Sequence, residues 1–241
     1  MARVELLFVD GTWCPRGGSA PAEALRRALD PNLVRFTYVD YGATYGPATG
    51  IGDPSLAESV RTGMKSLRDA VRASGLPVIV SGYSQGAMVA VRFARDILPT
   101  AHDLDVRAVA TMGDPHQERH QGRSGIAGPL SVPRPRLSVY APGDPIADLP
   151  DGSPLRSIAD LTEWMSLRSF ADGMDWALDA VETAMQRRAV QAWWQRAKIA
   201  DLDSATGYAL AYLRGDRHMR DYVSGSHAWR LARAIEGVAR G

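Results

Sequence analysis

Ser84 sits at the centre of Gly82-Tyr83-Ser84-Gln85-Gly86, between the apolar run Leu76-Pro77-Val78-Ile79-Val80 and the segment Ala87-Met88-Val89-Ala90-Val91-Arg92-Phe93-Ala94. A buried strand that breaks sharply into a helix around one serine makes a nucleophile elbow, in which flanking glycines let strand and helix approach closely and the hydroxyl stays exposed. The chemistry this suits is nucleophilic acyl transfer. The serine attacks a carbonyl carbon, and the amide of Gln85, opening the helix with the positive end of its dipole behind it, can donate to the developing oxyanion. A Gly-x-Ser-x-Gly string is common in a chain with 23 glycines. Its weight comes from the flanks, where a β-branched run gives way to a helical pattern directly after the serine.

Serine is a weak nucleophile at its free pKa and needs a base within hydrogen-bond reach, with a carboxylate to orient that base. The chain offers five histidines. His227, in Ser224-Gly225-Ser226-His227-Ala228-Trp229, lies in a small, flexible stretch just before a C-terminal helix read over Trp229 to Val238. It ranks first as general base, and His218, in Arg214-Gly215-Asp216-Arg217-His218-Met219, ranks second. His102, His116 and His120 fall in polar or charged loops and read as solvated. Among carboxylates, Asp144 directly follows a strand within Pro142-Gly143-Asp144-Pro145. It ranks ahead of Asp148, further from the strand end, and of Asp114, which terminates the preceding strand. The second oxyanion donor is expected in the loop Asp10-Gly11-Thr12-Trp13, as the amide of Thr12 with its hydroxyl as a helper. No His, Cys and Asp grouping has metal-ligand spacing such as His-Glu-x-x-His, so neither a metal nor another cofactor is expected.

The elements that must position these groups alternate. Val4 to Val9 reads as a buried strand, Ala20 to Leu29 as a helix and Leu33 to Val39 as a second strand. Pro54 to Ala73 carries Leu56, Val60, Met64, Leu67 and Val71 on one helical face. Val106 to Met112 and Arg136 to Tyr140 are further strands. This order predicts an α/β fold with a mostly parallel sheet and helices on both faces. Ligands of such sheets bind beyond the carboxyl ends of the strands, where Thr12, Ser84, Asp114 and Asp144 should converge.

From about Pro154 to Arg214 the strand signal vanishes, and Leu167, Phe170, Met174, Leu178, Val181 and Met185 recur at helical spacing. Residues 1–153 are therefore expected to form the first part of the core, 154–214 a helical insertion, and 215–241 the end of the core with the histidine loop and C-terminal helix. The insertion holds four of the six tryptophans, Trp164, Trp176, Trp193 and Trp194, with Tyr208 and Tyr212. These read either as the core of a small bundle or, for Trp164, Trp176 and Trp193, as the lining of a cleft over Ser84 that takes a long apolar chain and excludes water.

Composition removes several classes. Lys plus Arg number 28 against 27 Asp plus Glu, with no basic cluster, which argues against a nucleic-acid partner held by phosphate neutralisation. Cys14 is the only cysteine, so no intrachain disulfide can form. The first residues run straight into a strand, so no signal peptide is expected, and no apolar run is long enough to span a bilayer. At 241 residues and 45% hydrophobic content the chain can bury a sizeable core as a soluble globular protein.

Gly-Tyr-Ser-Gln-Gly at the elbow, Asp-Gly-Thr after the first strand, Gly-Asp before a small loop and a late histidine together resemble the cutinase group of serine esterases in the α/β-hydrolase superfamily. More narrowly, the chain is similar to the lysin B esterases of actinobacterial phages, over essentially its whole length. Those enzymes cut the ester joining mycolic acids to the arabinogalactan of the host envelope, and they carry a helical insertion between acid and histidine. The resemblance implies Ser84 as nucleophile, Asp144 as acid, His227 as base and the amides of Thr12 and Gln85 as oxyanion hole. It also implies mycolylarabinogalactan or another long-chain acyl ester as substrate, no cofactor, synthesis in the host cytoplasm and action at the envelope at lysis. The missing disulfides and signal peptide of secreted cutinases suit that role, and no N-terminal cell-wall-binding module is recognisable. A general lipase or carboxylesterase, an acyl transferase using the same triad, and a catalytically silent envelope-binding module remain open readings.

Overall fold

Strands buried on both faces read as unbroken apolar runs, and their alternate side chains must serve two different helical layers. In β1 (Val4–Val9), Leu7 and Val9 join one core with residues of α2 (Leu56–Ala73) and α3 (Gln85–Asp96). Val4, Leu6 and Phe8 join a second core with α1 (Ala20–Ala28) and the C-terminal helix. The computed structural model of the chain describes residues 2–157, 195 and 216–241.

The remaining strands are β2 (Val34–Tyr38), β3 (Val78–Tyr83), β4 (Val106–Met112), β5 (Arg123–Ser124), β6 (Arg136–Val139) and β7 (Leu149–Pro150). Five of them form one sheet in the order β2-β1-β3-β4-β6, and every pairing is parallel. β5 and β7 make a separate antiparallel ribbon. The expected α/β architecture with helices on both faces is the one observed. Because β1 has β2 on one side and β3 on the other, the winding reverses between β1 and β3, and a crevice opens beyond their carboxyl ends. Gly11-Thr12 and Ser84 follow those two strands.

Local chemistry fixes the helix starts. Ser55 caps α2 in a capping box with Glu58. Ser19 caps α1 by accepting from the Ala22 amide while its hydroxyl donates to Asp10 at 2.6 Å, which ties the loop after β1 to α1. At the C-terminal end, a wide helical turn at Asp216–Arg220 leads into α4 (Asp221–Ser224) and α5 (His227–Arg240). α5 starts at His227, earlier than the residue at which the sequence pattern begins. It buries Leu231 and Ile235, each contributing about 1.5–3 kcal/mol. Its buried Glu236 accepts from the Asp30 amide at 2.9 Å and from Arg233 at 2.6 Å, so the segment that brings the chain back to the crevice is anchored to the turn after α1.

Pro154 to Ser157, where the insertion was expected to start, pack against the ribbon: the buried Arg156 donates to the carbonyls of Gly125 and Leu149. Apart from residue 195, the rest of the expected insertion, with Trp164, Trp176, Trp193 and Trp194, lies outside the described residues. No helix among the described residues is long and apolar enough to cross a membrane.

Candidate active site

The elbow forms because two of its residues lack side chains. A Cβ on Gly82 would lie 2.2 Å from the Gly86 carbonyl, and one on Gly86 would lie 2.0 Å from the carbonyl oxygen of Val9. Ser84 between them holds φ 55° and ψ −120°, a left-handed backbone that costs a non-glycine residue about 1–3 kcal/mol. The Ser84 amide donates to the Met112 carbonyl at 3.1 Å, so the turn is clamped to the end of β4.

His218 Nε2 lies 2.8 Å from Ser84 Oγ, and His218 Nδ1 lies 3.0 Å from both carboxylate oxygens of Asp144. With Nδ1–H donating to Asp144, Nε2 is the nitrogen that faces the Ser84 hydroxyl and can accept its proton. The ring is held on several sides. It stacks on Tyr83 with centroids 5.2 Å apart, and the Tyr83 hydroxyl donates to the His218 carbonyl. Gly113, at φ 61°, leaves room at the end of β4 where a Cβ would come within 3.2 Å of His218 Cε1.

Asp144 is fully buried. Besides His218, its carboxylate accepts from the Ile146 amide at 2.8 Å and from the Tyr222 hydroxyl at 2.6 Å. Tyr222 is itself fully buried and accepts from the Ala141 amide at 3.1 Å. Burial, reinforced by the charge of Asp144, pushes the Tyr222 hydroxyl well above its ordinary pKa, so it stays protonated and donates.

The expectation for His227 is corrected here. His227 is the first residue of α5, its Nδ1 accepts from Arg230 at 2.6 Å, and its ring lies 5.5 Å from that of Tyr222. Burial and the Arg230 charge lower its pKa. The Gly and Ser residues around it end one helix and start another, whereas the turn at Asp216–Arg220 faces the ends of β3 and β4 and delivers His218 to Ser84. Tyr222 escaped the sequence reading altogether. Its spacing of four residues from His218, one helical turn, was the available signal.

The loop after β1 borders the serine: a Cβ on Gly11 would lie 3.5 Å from Ser84 Cβ. The Thr12 hydroxyl, expected as a helper, donates to Gln85 Oε1 at 2.8 Å, and Gln85 Nε2 donates to Ser59 Oγ at 2.9 Å and to the Thr44 carbonyl at 3.0 Å. The side chains of Thr12 and Gln85 thus lock the two backbone segments whose amides are the oxyanion candidates. Asp10 supports the same loop, accepting from Gly11 and Ser19. Burial raises its pKa against the pull of those donors.

The rival acids are occupied elsewhere. Asp114 is buried, pairs with Arg136 of β6 and accepts from the His116 amide at 2.7 Å. Asp148 accepts from Arg123 at 2.8 Å and from the Gly143 amide at 2.7 Å. His102 and His120 are exposed, as read from sequence, but His116 is not. It is 2% exposed, donates from Nδ1 to the Gly128 carbonyl and accepts from Arg92 at Nε2. Burial, with the Arg92 charge, lowers its pKa to about 3. No group of three or more His, Cys, Asp or Glu side chains able to hold a metal ion occurs among the described residues.

Residues 7–150 match the sequence profile of the family described as Cutinase. A curated relative, SL1278 acyltransferase Chp1 of Mycobacterium tuberculosis, is 33% identical over 119 residues, which is 46% of this chain and 29% of that protein. The chain thus spans less than a third of the relative's length. Among solved structures, lysin B from Mycobacteriophage D29 is similar at a TM-score of 0.50 and 18% identity, covering 99% of this chain and 90% of that one. A cutinase-like protein from Cryptococcus sp. has a TM-score of 0.43 and 20% identity, covering 61% and 79% of the two chains.

Proposed function

We propose, for a chain that belongs to the cutinase family, that it is a serine esterase hydrolysing long-chain acyl esters through an acyl-enzyme, with the mycolic acid ester of arabinogalactan in the host envelope as its substrate during phage lysis. The observation that carries the reading is the unbroken hydrogen-bonded line from Ser84 through His218 to Asp144. In the first half-reaction Ser84 Oγ attacks the ester carbonyl while His218 Nε2 takes the hydroxyl proton. The oxyanion is stabilised by the amides of Gln85 and Thr12. His218 then protonates the departing sugar alcohol, leaving the acyl group on Ser84. In the second half-reaction water attacks that ester, gives its proton to His218, and the fatty acid leaves as Ser84 recovers its proton. Asp144 keeps Nδ1 protonated and the ring aligned, and Tyr222 keeps Asp144 in place. No step needs a cofactor.

The mycolyl substrate rests on the motif resemblance to lysin B and is compatible with a fold shared with the D29 lysin. A second reading, transfer of the same acyl group to another alcohol, is favoured by the stretch of 33% identity to a protein named as an acyltransferase. Both readings require Ser84. Replacing it with alanine should abolish turnover of a short p-nitrophenyl ester while circular dichroism stays unchanged, and retained turnover would refute both. Incubation with purified mycolylarabinogalactan separates them: a hydrolase liberates free mycolic acids and a transferase yields new esters. Activity on simple esters with neither product would reduce the reading to a general carboxylesterase.

A further inference from the structure

The loop after β1 carries more than an oxyanion donor. Trp13, next to Thr12, is 63% exposed and holds φ at 66°. A left-handed backbone costs an L-residue about 1–2 kcal/mol, and an exposed indole gains no core packing to offset it. Its surroundings are fixed all the same. The Trp13 amide donates to the Ala43 carbonyl at 3.0 Å, and the Tyr41 amide to the Pro15 carbonyl at 3.1 Å. The Tyr41 hydroxyl donates to the Asp10 carbonyl at 2.7 Å. Gly17 packs so tightly that a Cβ would lie 2.1 Å from the Tyr38 ring. An aromatic plate is therefore presented to solvent on a rigid frame, a local strain of the kind that collects at binding sites.

Between this frame and the turn after β2 is an open surface depression of about 490 Å³, whose lining includes Trp13, Arg16, Gly17, Asp40 and Tyr41. That volume lies in the range of small-molecule sites. The lining joins the exposed Trp13 indole to an exposed carboxylate and an exposed guanidinium. An alkyl chain here could cover the indole but would offer Asp40 and Arg16 no hydrogen-bonding partner. A sugar ring meets both demands, because its C–H face can lie on the indole while its hydroxyls bond the two charged groups. The depression also lies at the carboxyl ends of β1 and β2, one residue along the chain from Thr12, whose side chain is bonded to Gln85 beside Ser84.

The geometry points to a carbohydrate subsite formed by Trp13, Arg16 and Asp40, which holds the sugar that carries the scissile ester. Its part in turnover rests on the esterase reading, whereas its binding does not. The first test is calorimetric titration of the Ser84→Ala protein with a soluble arabinogalactan oligosaccharide. Saturable binding is expected, weakened about tenfold or more when Trp13→Ala or Asp40→Asn is added. Thermal unfolding of the three proteins verifies that each is folded. Equal affinities in the three, or no saturable binding to Ser84→Ala, would overturn the subsite. In the active protein the same two substitutions should lower kcat/KM for 6-O-octanoylglucose about tenfold more than for p-nitrophenyl octanoate. Equal losses on both would also overturn it. A wild-type protein inert toward both esters would sink the esterase reading and leave the titration to decide the subsite.

Discussion

Replacing Tyr222 with phenylalanine removes a single hydroxyl from the site and keeps the ring that packs between Tyr83, His218 and His227. That hydroxyl donates to the Asp144 carboxylate at 2.6 Å and accepts from the Ala141 amide at 3.1 Å, with no access to solvent. A hydrogen bond to a charged group contributes about 1.5–3 kcal/mol, and a buried amide left unpaired costs about 1–3 kcal/mol. The Ala141 amide falls on stability, so the variant should unfold about 1–3 kcal/mol more easily in urea. The lost bond to Asp144 falls on the alignment of His218. Taken in full by the transition state it lowers kcat by about 10–150-fold. Tyr222 is buried behind Asp144 and does not touch Ser84, so KM for a p-nitrophenyl ester should stay near its wild-type value. Steady-state kinetics on that ester, with urea titration of the same preparation, read both quantities. A destabilised Tyr222→Phe protein with unchanged kcat would show that the Tyr222 hydroxyl serves stability alone and that Asp144 needs no support to align the histidine.

Gly86→Ala should be among the most damaging single-methyl additions at the described residues, since its Cβ would lie 2.0 Å from the Val9 carbonyl oxygen. A loss of about 3 kcal/mol or more in urea unfolding is expected, and a loss under about 1 kcal/mol would contradict the tight elbow. His116 gives a pH-dependent stability whose sign follows from its pKa of about 3 in the fold, below the ordinary 6.5. The unfolded chain takes up that proton first as pH falls, so the contribution is complete above about pH 6.5 and declines toward pH 3 with a limiting slope of about 1.4 kcal/mol per pH unit. His116→Gln can still accept from Arg92 and donate to the Gly128 carbonyl, and it should flatten the stability profile between about pH 6.5 and pH 5. Urea titrations at stepped pH test this, and parallel profiles for the two proteins would contradict it.

The alternation of strands and helices was legible because each core strand is buried on both faces and so reads as a short apolar run closed by turn residues. The elbow was legible because close packing of strand on helix demands glycine at positions 82 and 86. The identity of the histidine beside Ser84 was not. A Gly- and Ser-rich setting describes local backbone freedom. Which imidazole meets the serine depends on Tyr83, Gly113 and Asp144, which are far from residue 218 along the chain and shape the space it enters. His116 misled in the same way. Its neighbours Glu118 and Arg119 face water, but its own ring is drawn inward by the Gly128 carbonyl and by Arg92 from α3. Thr12 shows a subtler limit, since its hydroxyl looked like a donor for substrate and is bonded to Gln85 instead.

The claim on which the account depends is that His218 activates Ser84. Peptide mass spectrometry after brief exposure to a fluorophosphonate probe tests it at the reacting atom. The account predicts an adduct on Ser84 in the wild-type protein and at a matching rate in His227→Ala, with labelling slowed by about a thousandfold or more in His218→Ala. Rapid labelling of His218→Ala, or loss of labelling in His227→Ala, would contradict it.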